Sequence, residues 1–141
     1  MLFEHPHEAP DGARSTLLVA DVPGSRSVRV IAPAMGVAAG YYTPLVESLA
    51  ARGLSVVVHE HRCVGSSDQR PGRKVDFGYH HAVSVDLAHT LQWTRGRFPE
   101  AEIVLVGHSL GAQLSSLLVA TRSAAPDTHS GLGPSVSHGA F

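Results

Sequence analysis

Apolar residues in this chain fall into short continuous runs, separated by stretches in which they recur at helical spacing. Thr16-Leu17-Leu18-Val19-Ala20 and Val28-Arg29-Val30-Ile31-Ala32 are β-rich, and Asp21-Val22-Pro23-Gly24-Ser25 between them carries turn residues. The pair therefore reads as an N-terminal β-hairpin. Thr43-Pro44 reads as a helix cap followed by a proline at the first helical position, with Leu45, Val46, Leu49 and Ala50 on one face and Gly53 as the stop. Leu54-Ser55-Val56-Val57-Val58-His59 is almost continuously apolar, as expected of a strand covered on both faces. After a polar loop, Tyr79, Val83, Leu87 and Leu91 repeat every four residues and predict a helix that ends near Phe98-Pro99. A strand over 102–107 and a helix over 109–122 complete the pattern.

Strand and helix thus alternate, which predicts an α/β fold: a mostly parallel sheet with flanking helices. Residues 1–14 are polar, contain Pro6, Pro10 and Gly12, and read as a flexible lead-in to a domain over 15–122. Residues 123–141 are rich in Ser, Ala, Gly, Pro and His without an apolar period, and read as a disordered or weakly ordered tail.

Composition narrows the function classes. A chain of 141 residues forms one compact domain, and a formal net charge of −1 gives no reason to expect a nucleic-acid partner or an anionic membrane surface. No apolar run approaches the ~20 residues that span a bilayer, and the first residues have neither the basic start nor the apolar core of a signal peptide. Cys63, the single cysteine, excludes an internal disulfide and fits a reducing cytoplasm.

The segment with chemical content is Gly107-His108-Ser109-Leu110-Gly111, which follows the strand run and opens the helical one. A G-x-S-x-G match in that context predicts a sharp turn presenting Ser109 as a nucleophile, with Gly107, His108 and Gly111 building the elbow. Leu110, at the helix N-terminus, would offer its N–H to the oxyanion of a tetrahedral intermediate. The histidines suggest a metal less well. His59, His61 and Cys63 alternate along a strand end, while His80, His81 and His89 lie on a helix where adjacent residues do not share a face. No paired CxxC or HExxH spacing occurs, and neither a dinucleotide nor a P-loop motif is complete, so neither metal nor cofactor is expected.

Four ordered segments over 15–122 resemble the α/β-hydrolase superfamily, in its serine aminopeptidase-like and lysophospholipase-like branch. Ile31-Ala32-Pro33-Ala34-Met35-Gly36 resembles the loop that gives a second oxyanion donor, with Met35 as that donor and Ala34 or Gly36 as alternatives by register. Tyr41-Tyr42-Thr43-Pro44-Leu45 resembles the start of the following helix. Glu60-His61-Arg62-Cys63-Val64-Gly65-Ser66-Ser67 resembles the family's D-x-R-G-x-G-x-S turn, with Glu60 in place of the acid and Cys63 in place of a glycine. The elbow is the fourth segment, and Asp76-Phe77-Gly78-Tyr79 resembles a stretch found in one group of predicted hydrolases.

The resemblance implies a serine hydrolase that acts on a small-molecule ester, thioester or amide through an acyl-enzyme, with His108 structural rather than basic. It also implies further strands that carry the triad acid and base, so the expectation is an N-terminal portion whose catalytic set is incomplete. Within this chain Asp127 and His138 follow Ser109 in the order acid then base, but no strand-forming run is evident to bring them back to it. The other class of function is a non-catalytic, degenerate hydrolase acting as a binding or self-association module. Its surface would be an unpaired strand edge beside Val104 and Val106.

Overall fold

A computed structural model describes residues 1–73, 76–123 and 136–140, with Ser123 and 136–140 described by backbone alone. Six strands form one sheet in the order β1-β2-β4-β3-β5-β6. They are β1 (Leu2–Glu8), β2 (Arg14–Ala20), β3 (Ser27–Ala32), β4 (Ser55–Val58), β5 (Glu102–Gly107) and β6 (Val136–Ala140). β2 is antiparallel to β1 and β4, and the pairs β3–β4, β3–β5 and β5–β6 are parallel.

The N-terminal hairpin exists but uses other strands. Residues 1–14 are not a flexible lead-in: β1 pairs with β2 from Leu2 opposite Ala20 to Glu8 opposite Arg14. Its inward positions are Phe3, His5 and His7, so an alternating strand was hidden by histidines that count as polar. Pro6 is tolerated because β1 is the sheet edge, where its missing N–H leaves no ladder bond unmade. β2 and β3, expected to pair with each other, are separated by β4.

Within the tail, Val136–Ala140 are the second correction, while residues 124–135 lie outside the described residues. β6 lies parallel to β5, from Ile103 opposite Val136 to Gly107 opposite Ala140, so the edge beside Val104 and Val106 is paired. Self-association through that edge loses its structural basis. A parallel strand is held by backbone groups of any residue type, which is why a stretch without an apolar run can still occupy the position.

Helices cover both sheet faces. α1 (Thr43–Ala50) follows a 3-10 turn at Ala39–Tyr42 and packs Val46 against Leu18, Ile31, Val56 and Val58. Thr43 does not cap it; its hydroxyl bonds Gly40 O, and the first turn has no side-chain cap. On the other face, one helical rod comprises α2 (Tyr79–His81), a π-helical stretch (Ala82–Leu87) and α3 (Ala88–Arg97). Val83, Leu87 and Leu91 from this rod meet Leu114 and Leu118 of α4 (Leu110–Ser123) over Val19, Val30, Val57 and Leu105. Consecutive valines of β4 therefore enter opposite cores, the reason its sequence is continuously apolar. No helix among the described residues is long and apolar enough to cross a membrane.

Candidate active site

β5 ends at Gly107, α4 begins at Leu110, and Ser109 stands between them at φ 54°. This left-handed conformation is rare for a residue with a side chain and marks a sharply constrained turn. The flanking glycines are sterically required. A Cβ on Gly107 would lie 2.2 Å from Ala112 Cα, and one on Gly111 would lie 1.9 Å from Ala32 O. The His108 N–H donates to Ala32 O at 3.0 Å, which ties the elbow to the end of β3. Ser109 is exposed, and no described side chain hydrogen-bonds its Oγ.

The loop after β3 faces this turn. Val37 N–H donates to Ala34 O at 3.2 Å, and Gly36 has φ 71°, a four-residue turn that needs a positive φ at its third position. Of the three expected donors, Ala34 is already engaged: its N–H donates to Tyr42 Oη at 2.9 Å. Among the described residues, the N–H groups of Met35, Gly36 and Leu110 have no partner. Met35 and Leu110 also border a cavity of about 340 Å³ whose other walls include His61, Arg62, Phe77, Tyr79 and Leu114.

The 60–67 turn supports the cavity from below. Glu60 is buried, and its carboxylate accepts Ala39 N–H at 2.9 Å and both the N–H and hydroxyl of Ser66 at 3.1 Å. Cys63 adopts φ 62°, so the site where the family pattern has glycine does demand the left-handed region, and the cysteine bears the strain. Arg62 makes a bidentate pair with Asp86, with both contacts at 2.7 Å, and also reaches Asp11 at 2.8 Å. The Arg62 bond holds the Asp11 carboxyl down at about 2, and Asp86 in turn pushes the guanidinium further up. His81, Asp11 and Asp86 bring one ligand-type atom each within 4.8 Å of one another, a grouping that sequence spacing does not reveal because it joins a hairpin loop to a helix. Arg62 already supplies the positive charge there.

His59 and His61 diverge rather than sharing a ligand. His59 Nδ1 meets Thr90 Oγ1 at 2.9 Å, whereas His61 Nε2 donates to Pro33 O at 2.8 Å. Burial, then the neighbouring His61 and His7, hold His59 well below its usual value. Burial, then His89 and His5, lower His7 to about 4. Both favour the neutral form in the fold, so their contribution is fully present above the ordinary value of 6.5 and is lost as pH falls below it, for His7 toward about 4. From His7 alone, stability is expected to fall by about 1–2 kcal/mol between pH 7 and pH 5, and His59 acts in the same direction. Urea melts at the two pH values test this, and His7→Gln should flatten the slope.

Asp127 lies outside the described residues. His138 is placed by its backbone, on β6 opposite Leu105. The family model for serine aminopeptidase S33 matches residues 24–136, a span that contains β3, the 60–67 turn and the elbow.

The chain belongs to the serine aminopeptidase S33 family of α/β-hydrolases. Solved structures share its fold. An α/β hydrolase from Novosphingobium aromaticivorans is 24% identical with a TM-score of 0.71, over 87% of this chain and 41% of that one. A thioesterase domain from the curacin biosynthetic pathway is 20% identical with a TM-score of 0.68, again over 87% and 41%. An α-β serine hydrolase homologue from Coxiella burnetii is 20% identical with a TM-score of 0.67, over 85% and 58%. The chain thus spans about two fifths of the length of most such structures. No curated protein sequence matches it.

Proposed function

We propose that the chain carries the nucleophile half of a serine hydrolase site acting on an ester, thioester or amide. Ser109 Oγ adds to the carbonyl carbon, and the resulting oxyanion is held by the N–H groups of Leu110 and Met35. Collapse breaks the bond to the leaving alcohol, thiol or amine, which departs with a proton, and water then cleaves the acyl-Ser109 ester. The acyl group occupies the cavity beside Met35 and Leu110. The observation that carries this reading is Ser109 at φ 54° between β5 and α4, followed by Leu110, whose unpartnered N–H belongs to a residue that lines the same cavity as Met35, the second unpartnered donor. Cys63 as a lone thiol fits a cytoplasmic setting.

The triad base is the open element. No described side chain bonds Ser109 Oγ, and His108 Nδ1 is engaged with Tyr42. This observation favours the second reading, a non-catalytic hydrolase fold. Fluorophosphonate labelling separates the two. A hydrolase site is expected to be labelled at Ser109 and to lose all labelling in Ser109→Ala. Absence of labelling in the parent chain would favour the non-catalytic reading. Without a base, ester turnover should fall to the residual ~10³–10⁴-fold over water that an oxyanion hole alone sustains. Faster turnover that His138→Ala or Asp127→Ala removes would assign those residues as base and acid.

A further inference from the structure

We infer that Tyr42 and His61 are positioning residues that clamp the Pro33–Ala34 peptide and thereby aim the Met35 N–H at the carbonyl oxygen of the substrate. The inference rests on the oxyanion role proposed for Met35. Both polar atoms of this one peptide unit are held by side chains from different elements. His61, from the turn after β4, donates Nε2–H to Pro33 O at 2.8 Å. Tyr42, buried at the start of α1, accepts the Ala34 N–H at 2.9 Å. A peptide is planar, so fixing its oxygen and its N–H fixes the plane and leaves only the rotations at Ala34 between it and the Met35 amide. The Val37-to-Ala34 turn bond removes most of that remaining freedom.

The clamp also reaches the nucleophile. Tyr42 Oη lies 2.8 Å from His108 Nδ1, next to Ser109 in sequence. A phenol has one proton to give, and with Ala34 as its donor partner the hydroxyl gives that proton to His108 Nδ1. The neutral His108 ring therefore carries its hydrogen on Nε2. The resulting chain runs from His61 through the Pro33–Ala34 peptide and Tyr42 to His108, so the loop and the elbow move as one body. His108 N–H on Ala32 O closes the same unit through the backbone.

Three readouts test the clamp on the full chain. Nitrogen NMR of His108 should show an unprotonated Nδ1 and a protonated Nε2 in the neutral ring; the opposite tautomer would overturn the inference. In Tyr42→Phe, hydrogen exchange of the Ala34 amide should accelerate about tenfold or more while amides of β3 and β5 stay protected, and unchanged Ala34 exchange would overturn it. His61→Leu should have the same local effect. His61→Gln, whose side-chain amide still donates to Pro33 O, should restore protection; equal exchange in the two variants would show that the donor is irrelevant. Fluorophosphonate labelling of Ser109 should slow at least tenfold in Tyr42→Phe with little change in the concentration for half-saturation. If the parent chain is not labelled but tautomer and exchange behave as stated, the clamp stands and the nucleophile reading fails.

Discussion

Gly111→Ala is expected to lose most of the folding stability of the chain. The added methyl would sit 1.9 Å from Ala32 O, 2.4 Å from Ala32 C and 2.7 Å from Pro33 O. All three are backbone atoms at the junction of β3 and the loop, so no rotamer change relieves the overlap. Ordinary overpacking costs about 1–3 kcal/mol. Here α4 must move away from the sheet, and a loss of about 4 kcal/mol or more is expected, against the roughly 5–15 kcal/mol that holds a domain together. Gly107→Ala should behave alike, since its methyl meets Ala112 Cα and N at 2.2 and 2.4 Å. Gly96→Ala is the control: it lies in α3 with nothing within 4 Å, and should gain up to about 1 kcal/mol from helix propensity. Urea unfolding of the three variants decides the matter, and a Gly111→Ala midpoint close to that of the parent would show the elbow to be looser than described.

Asp86→Ala has the second large expected effect. Side chains of Asp86 and Arg62 are 8% and 9% exposed, and their pair is bidentate. Removing one partner of a buried pair leaves the other charge desolvated and costs about 3–5 kcal/mol. Asp11, still in contact with Arg62, offsets part of this, so about 3 kcal/mol is expected. Asp11→Ala by itself should cost under about 1 kcal/mol, because its side chain is 38% exposed and Asp86 remains. The order of the two denaturant midpoints is the check. Because Arg62 and Asp86 both line the cavity, Asp86→Ala should also enlarge the site, so an inert acyl ligand should bind more weakly to that variant.

The elbow was legible because its chemistry is local. Two glycines, a strand before and a helix after define the turn without help from distant residues, and Gly107 and Gly111 prove to be required by backbone contacts. What escaped depends on pairing between distant segments. β1 was obscured because His5 and His7 act as inward residues, a choice that makes sense only beside His89 and Trp93 of α3. The partner of β2 could not be read from β2, since β4 enters between two strands adjacent in sequence. β6 has no apolar run at all and is placed by backbone pairing alone. The Arg62, Asp11 and Asp86 cluster joins three segments far apart in the chain, as does the peptide clamp, and neither has a spacing to recognise. Tyr79 shows the limit from the other side: it continues the four-residue repeat yet is 61% exposed, at the rim of the cavity.

That repeat of four is longer than the 3.6 residues of an α-helical turn, and an unbroken α-helix would carry Val83, Leu87 and Leu91 around by about 40° at each step. The π-helical stretch at Ala82–Leu87 winds more slowly and takes up the drift. Asp86, which binds Arg62, and Thr90, which meets His59, consequently belong to two different windings of one rod. Deleting a single residue from the wide turn would restore uniform winding at nearly the same total rotation, whereas a deletion between Leu87 and Thr90 would swing Thr90 about 100° away from His59 while Asp86 stayed on Arg62. The rod can exchange many side chains, but the spacing between its two anchors is fixed.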